Sequence, residues 1–119
     1  MSNDVQKAVV YCRVSSGKQV DEGHGLDGQE RACRAWTDRN NYKVVNVFRE
    51  EGVSGGIFDR PALVSLFTYL KDHDDVSMVI FEDTSRIARD VSVHLQIAAQ
   101  IKKLGSNYQT RPPAQLNQS

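Results

Sequence analysis

The sequence predicts an α/β fold, a three-layer domain built on a central, mainly parallel sheet. Three observations carry this. Apolar runs of strand length alternate with segments of helical periodicity, so the order reads β-α-β-α-β-α. Two of those runs are nearly continuous in apolar side chains, as parallel strands covered on both faces require. The length, 119 residues, suits one domain. Such an alternation implies right-handed crossovers with helices layered on the sheet.

The first strand covers residues 7–14, where Ala8, Val9 and Val10 lead into Tyr11, Cys12, Arg13 and Val14. The spacing predicts a helix over 26–40, with Cys33, Trp36 and Gln29 on one side and Asn40 and Asn41 closing it. The second strand, 42–49, is more mixed in polarity and belongs nearer a sheet edge. Asp59, Arg60 and Pro61 form a helix start, since aspartate caps and proline fits the first turn. That helix runs to about Asp72, with Leu63, Leu66, Phe67 and Leu70 at core spacing. The third strand is 76–82, a second central one. The last helix, 91–104, sets Leu95, Ile97, Ala98, Ile101 and Leu104 toward the core, and Gly105 follows as its cap. The domain is therefore bounded at 1–105. Residues 106–119 are polar, contain a Pro-Pro pair and show no apolar period, so they read as a disordered tail with no fourth strand.

Composition narrows the function classes. Fifteen basic residues balance fifteen acidic ones, so any anion site must come from local clustering. No apolar run approaches the roughly 20 residues that span a bilayer, and the polar start, residues 1–7, resembles no signal peptide. Cys12 and Cys33 are too few for a disulfide scaffold and read as reduced core thiols of a cytosolic protein. His24, His73 and His94 are scattered, which argues against a metal site.

The chemistry gathers at the strand ends. In a parallel sheet the loops after the strands share one edge, where ligands bind. The first loop brings Arg13, Ser15, Ser16 and Gln19. The second, glycine-rich loop holds Glu50 and Glu51 and leads to Arg60, without a phosphate-loop lysine. The third carries Asp83, Thr84, Ser85, Arg86 and Arg89. Arg86 and Arg89 share a face if that loop coils. Arg13, Arg60, Arg86 and Arg89 thus converge on the serine. A guanidinium pair 4 Å apart repels by about 4 kcal/mol at an effective dielectric near 20. Such a cluster makes sense around a phosphate, whose oxygens match guanidinium donors. Glu50, Glu51 and Asp83 are placed to moderate the repulsion in the empty site. None of these residues is diagnostic alone; their convergence is the signal.

Four segments in order, YCRVSSGKQ at 11–19, GLDGQERAC at 25–33, EGVSGGIFDRPAL at 51–63 and EDTSRIARD at 82–90, resemble the catalytic domain of the serine recombinases. That group holds resolvases, invertases and large serine integrases, and the motif style is nearest the large integrase and transposase branch. The resemblance implies a resolvase-like catalytic domain for site-specific DNA recombination. Ser15 matches the nucleophile that forms a 5′-phosphoseryl link to DNA. Arg13, Arg60, Arg86 and Arg89 match the arginines that bind the DNA phosphate and stabilise the transition state. Gln19 and Gln29 match supporting glutamines and Glu51 an acidic position. Small resolvases place an aspartate before the first arginine of the last motif, where this chain has Ser85; which acidic group helps there stays open, with Asp83 a candidate. No cofactor or metal is implied. The implied partners are DNA and further copies of the protein, as a dimer or tetramer, with no membrane, in the cytoplasm of a bacterium or in a phage or mobile element. The family's DNA-binding domain and long oligomerisation helix are absent from these residues. A truncated, non-catalytic interaction module derived from a recombinase is therefore the alternative.

Overall fold

Alternation along the first strand divides the core in two. In β1 (Gln6–Val14), Ala8, Val10 and Cys12 face one side, while Val9 and Tyr11 face the other. All five are fully buried, so β1 is covered on both faces. The computed structural model describes residues 5–14, 25–51, 60–88 and 90–110, the side chains of Thr84 and Ser85 excepted. After β1 come α1 (Leu26–Arg39), β2 (Tyr42–Glu51), α2 (Pro61–Asp72), β3 (Val76–Phe81), α3 (Thr84–Ile87), α4 (Val91–Lys103) and β4 (Asn107–Thr110). The sheet order is β2-β1-β3-β4, and every pairing is parallel. The expected three-layer α/β domain is therefore present, with the mixed strand β2 at an edge.

Helix α1 covers one face through Cys33 and Trp36, packed on Val10, Cys12 and Ile80. Helices α2 and α4 cover the other through Leu63, Leu66, Leu70, Ile97 and Ile101. The chain moves one way along the sheet from β1 to β2 and the opposite way from β2 to β3. Crossovers of one hand must then change face when the direction reverses, which is why α1 stands apart from α2 and α4.

Local chemistry sets the helix ends. Asn40 closes α1, and Asn41 follows at φ 63°, a conformation that asparagine tolerates. Asp90 caps α4, its Oδ1 accepting from the amides of Ser92 (2.7 Å) and Val93 (3.3 Å). Pro61 opens α2 as expected, whereas Asp59 lies outside the described residues. The amides of Ala62 and Leu63 are taken up from β2 instead, by Glu50.

Two expectations are corrected. Residues 107–110 are not tail but the fourth strand, so the fold extends beyond residue 105. An edge strand joins through its backbone ladder and needs no apolar period. Gly105 turns the chain at φ 94°, and the Ser106 hydroxyl donates to the carbonyl of Val76 (2.7 Å). Tyr108 then sets its ring against Phe81 and His94. Leu95 is not core but 61% exposed. The inward face of α4 is defined by Val93, Ile97 and Ile101, and a residue two positions from Val93 or Ile97 lies about 200° round the helix.

Burial, then the nearby Glu30 carboxylate, pushes the Cys12 thiol up to about 12. The unfolded thiol releases its proton near its ordinary value of 9.0. The fold thus holds this proton more tightly, and the stability it contributes is complete below about pH 9 and lost as pH rises toward 12. Urea unfolding between pH 8 and 11 should show a falling midpoint, with a shallower fall in Cys12→Ala.

Candidate active site

Between β1 and β3 the chain leaves the sheet toward opposite layers, so their carboxyl ends form the topological switch point, where open parallel sheets bind ligands. Arg13 lies at the end of β1, and Glu82, Asp83 and α3 follow β3. The β1–β3 ladder ends at the Tyr11 and Phe81 pair. Two residues further, the Gln29 side chain takes over from the missing strand. Its Oε1 accepts from the Arg13 amide and its Nε2 donates to the Arg13 carbonyl, both at 3.0 Å. Gln29 is fully buried on α1. This pair of hydrogen bonds fixes the end of β1, the strand that leads to Ser15.

The arginines meet at α3. Arg13 Nε donates to the carbonyl of Arg86 (3.2 Å), and Arg60 Nη1 donates to the carbonyl of Ile87 (2.6 Å). The last carbonyls of a helix lack partners in the helix and form its negative end. Two guanidiniums from different elements therefore sit on adjacent carbonyls of one turn. The third, Arg86, points its Nε at Glu82 Oε1 (3.3 Å). Each of these three guanidiniums has an acceptor of its own.

Behind Arg60 lies a buried polar cluster. The Tyr11 hydroxyl donates to Glu50 Oε1 (2.9 Å). The same carboxylate accepts from Ala62 at Oε2 and from Leu63 at Oε1, both at 3.0 Å. Glu50 is 2% exposed and Arg60 4%. Arg60 Nε has no hydrogen-bond partner among the described residues. Burial first, and Glu50 second, hold the Tyr11 pKa well above its ordinary value, while Arg60 opposes them.

The expected site residues divide as follows. Arg13, Arg60 and Arg86 come together at α3, with Gln29 bracing Arg13. Ser85 is in α3, directly before Arg86. Glu51, the last residue of β2, and Asp83, after β3, are exposed. Ser15, Gln19 and Arg89 lie outside the described residues, as does His24. Glu50 is the acid built into the structure beside the position that the resemblance picked out. The period of β2 would have found it, since Phe48 and Glu50 point inward and Arg49 and Glu51 outward. Arg49 has a role of its own: its Nη2 reaches Asp27 (2.8 Å) and Glu30 (2.5 Å) and ties β2 to α1, the helix that carries Gln29. Arg49 and then Arg34 lower the Glu30 pKa. His94 faces the Tyr108 hydroxyl and His73 stacks on Tyr69. Among the described residues no cluster of His, Cys, Asp or Glu is arranged to hold a metal. No described helix is long and apolar enough to cross a membrane.

The fold and the site define an open parallel α/β domain with three arginines gathered at its topological switch point. The chain belongs to the family of the resolvase N-terminal domain, whose profile matches residues 8–110. A Bacillus subtilis (strain 168) protein described as "Putative DNA recombinase" is 30% identical over 116 residues, covering 90% of this chain. The chain spans 22% of that relative's length. Among solved structures, the N-terminal catalytic domain of TP901-1 integrase superposes with a TM-score of 0.78 at 23% identity, covering 88% of this chain and 77% of that one. A resolvase family site-specific recombinase from Streptococcus pneumoniae gives 0.73 at 27% identity, covering 89% and 72%. The catalytic domain of ISC1926 TnpA, an IS607-like serine recombinase, gives 0.75 at 26% identity, covering 92% and 72%.

Replacing Glu50 by alanine strips a buried hydroxyl and two helix amides of their acceptor. Glu50→Ala should cost about 3–5 kcal/mol in urea unfolding, since each buried donor left unsatisfied costs about 1–3 kcal/mol. Gln29→Ala should cost about 1–3 kcal/mol, and hydrogen exchange should show the Arg13 amide losing protection.

Proposed function

We propose that this domain cleaves and rejoins DNA in site-specific recombination, with Ser15 as the nucleophile. The observation that supports this best is the meeting of Arg13, Arg60 and Arg86 on the single turn α3, at the end of the strand that leads to Ser15. The sequence similarity to recombinases of the resolvase family agrees with it.

In this reading Ser15 Oγ attacks the scissile phosphorus in line as it gives up its proton. The Oγ–P bond forms, the P–O3′ bond breaks, and the departing O3′ takes up a proton. The product is a 5′-phosphoseryl link and a free 3′-hydroxyl. The ester conserves the bond energy, so the reverse attack by a 3′-hydroxyl rejoins the strand. Arg13, Arg60, Arg86 and Arg89 stabilise the charge that builds on the non-bridging oxygens. Because Arg13 and Arg60 are already fixed on backbone carbonyls, little reorganisation is left for the reaction itself. Gln19 joins the serine loop as a supporting group. Glu51, Asp83 and Ser85 border the site. Exchange of strands between two sites calls for several subunits, so the partners are DNA and further copies of the protein, in the cytoplasm of a bacterium or its mobile elements.

Full-length protein mixed with DNA that carries its site should give a covalent adduct on a denaturing gel. Ser15→Ala should abolish it, and Arg13→Ala should slow its formation about 10²- to 10³-fold. An adduct that persists in Ser15→Ala would assign the chemistry to another residue.

A further inference from the structure

Glu82 follows the last residue of β3, at the switch point between β1 and β3. It is 6% exposed, the buried carboxylate of the third loop, whereas Asp83 beside it is exposed. The position directly before Arg86 is a serine, so no carboxylate is available there. Glu82 Oε1 lies 3.3 Å from Arg86 Nε, in a pair that spans the strand end and the turn α3. The Arg86 carbonyl in turn accepts from Arg13 Nε (3.2 Å).

We infer that Glu82 is a positioning residue that presents Arg86, and through its backbone Arg13, to the DNA phosphate. The inference rests on the recombinase reading above. The geometry favours it in three ways. A buried carboxylate needs compensating donors, and the Arg86 guanidinium supplies one to Glu82, so the fold itself holds the two together. The bond uses Nε, whereas the two Nη groups carry the other four guanidinium donors and suit paired bonds to phosphate oxygens. The Arg86 side chain is 21% exposed against 7% for Glu82, so the pair has a buried anchor and a more open cation. The sequence offers Asp83 as one candidate acid in this loop; in this reading its buried neighbour Glu82 takes the part. The acid that serves the arginine comes from the strand end and not from the residue before it.

The test is single-turnover cleavage by the full-length protein on DNA carrying its recombination site, with DNA affinity measured separately. Glu82→Gln keeps the shape and removes the charge. It should slow adduct formation about 10- to 100-fold and leave DNA affinity unchanged, a split that a general loss of structure does not produce. Adding Glu82→Gln to Arg86→Ala should cause no further loss, because the two act as one unit. If Glu82→Gln does not fold, Glu82→Asp carries the same test, since the shorter arm should slow cleavage and spare affinity. Cleavage at the unmodified rate in the folded variant, or losses that multiply in the double variant, overturns the role of Glu82 alone. Absence of any Ser15-dependent adduct in the unmodified protein overturns the recombinase reading and this inference with it.

Discussion

Like charges brought to one place need countercharge, and much of this domain is arranged to supply it. Arg13 arrives from β1, Arg60 from the start of α2 and Arg86 from α3 itself. Left facing one another, they would push the strand ends apart. The carbonyls of Arg86 and Ile87 and the carboxylate of Glu82 each take one guanidinium. The four-residue helix α3 is therefore more than a connection. It offers two carbonyls at one spot, and those carbonyls set where the arginines stop.

The same economy appears one layer down. Glu50 joins β1, β2 and α2 through a single carboxylate, which binds the Tyr11 hydroxyl and the first amides of α2. A helix start normally draws a capping side chain from its own sequence. Here the acceptor comes from a neighbouring strand, so α2 and its N-cap residue Arg60 are registered directly against the sheet. On the opposite face Gln29 does for Arg13 what a further strand would do, and the Arg49 ion pairs hold the helix that carries it. Rigidity at the end of β1 is thus built from side chains exactly where the ladder to β3 has run out.

Stability and chemistry share these parts. The buried polar groups that brace the site are the ones whose loss costs most, because each leaves a desolvated donor or acceptor behind. The apolar halves of the core carry the sheet, while the buried polar groups near the carboxyl end of β1 fix the positions of the arginines.

Much was legible in the chain alone. Continuous apolar runs identified the central strands, periodicity identified three helices, and the mixed polarity of β2 put it at an edge. The strand-end rule then collected Arg13, Arg60 and Arg86 at one edge, because side-chain period and chain order are local properties. Tertiary structure decided the rest. β4 is held by backbone hydrogen bonds and the ring of Tyr108, which leave no apolar pattern. Leu95 was a matter of helix phase, which is set by what α4 packs against. Gln29, Glu50 and Glu82 are polar residues that no composition rule sends inward. They are buried because partners distant in sequence satisfy them, and such partners exist only once the chain has folded.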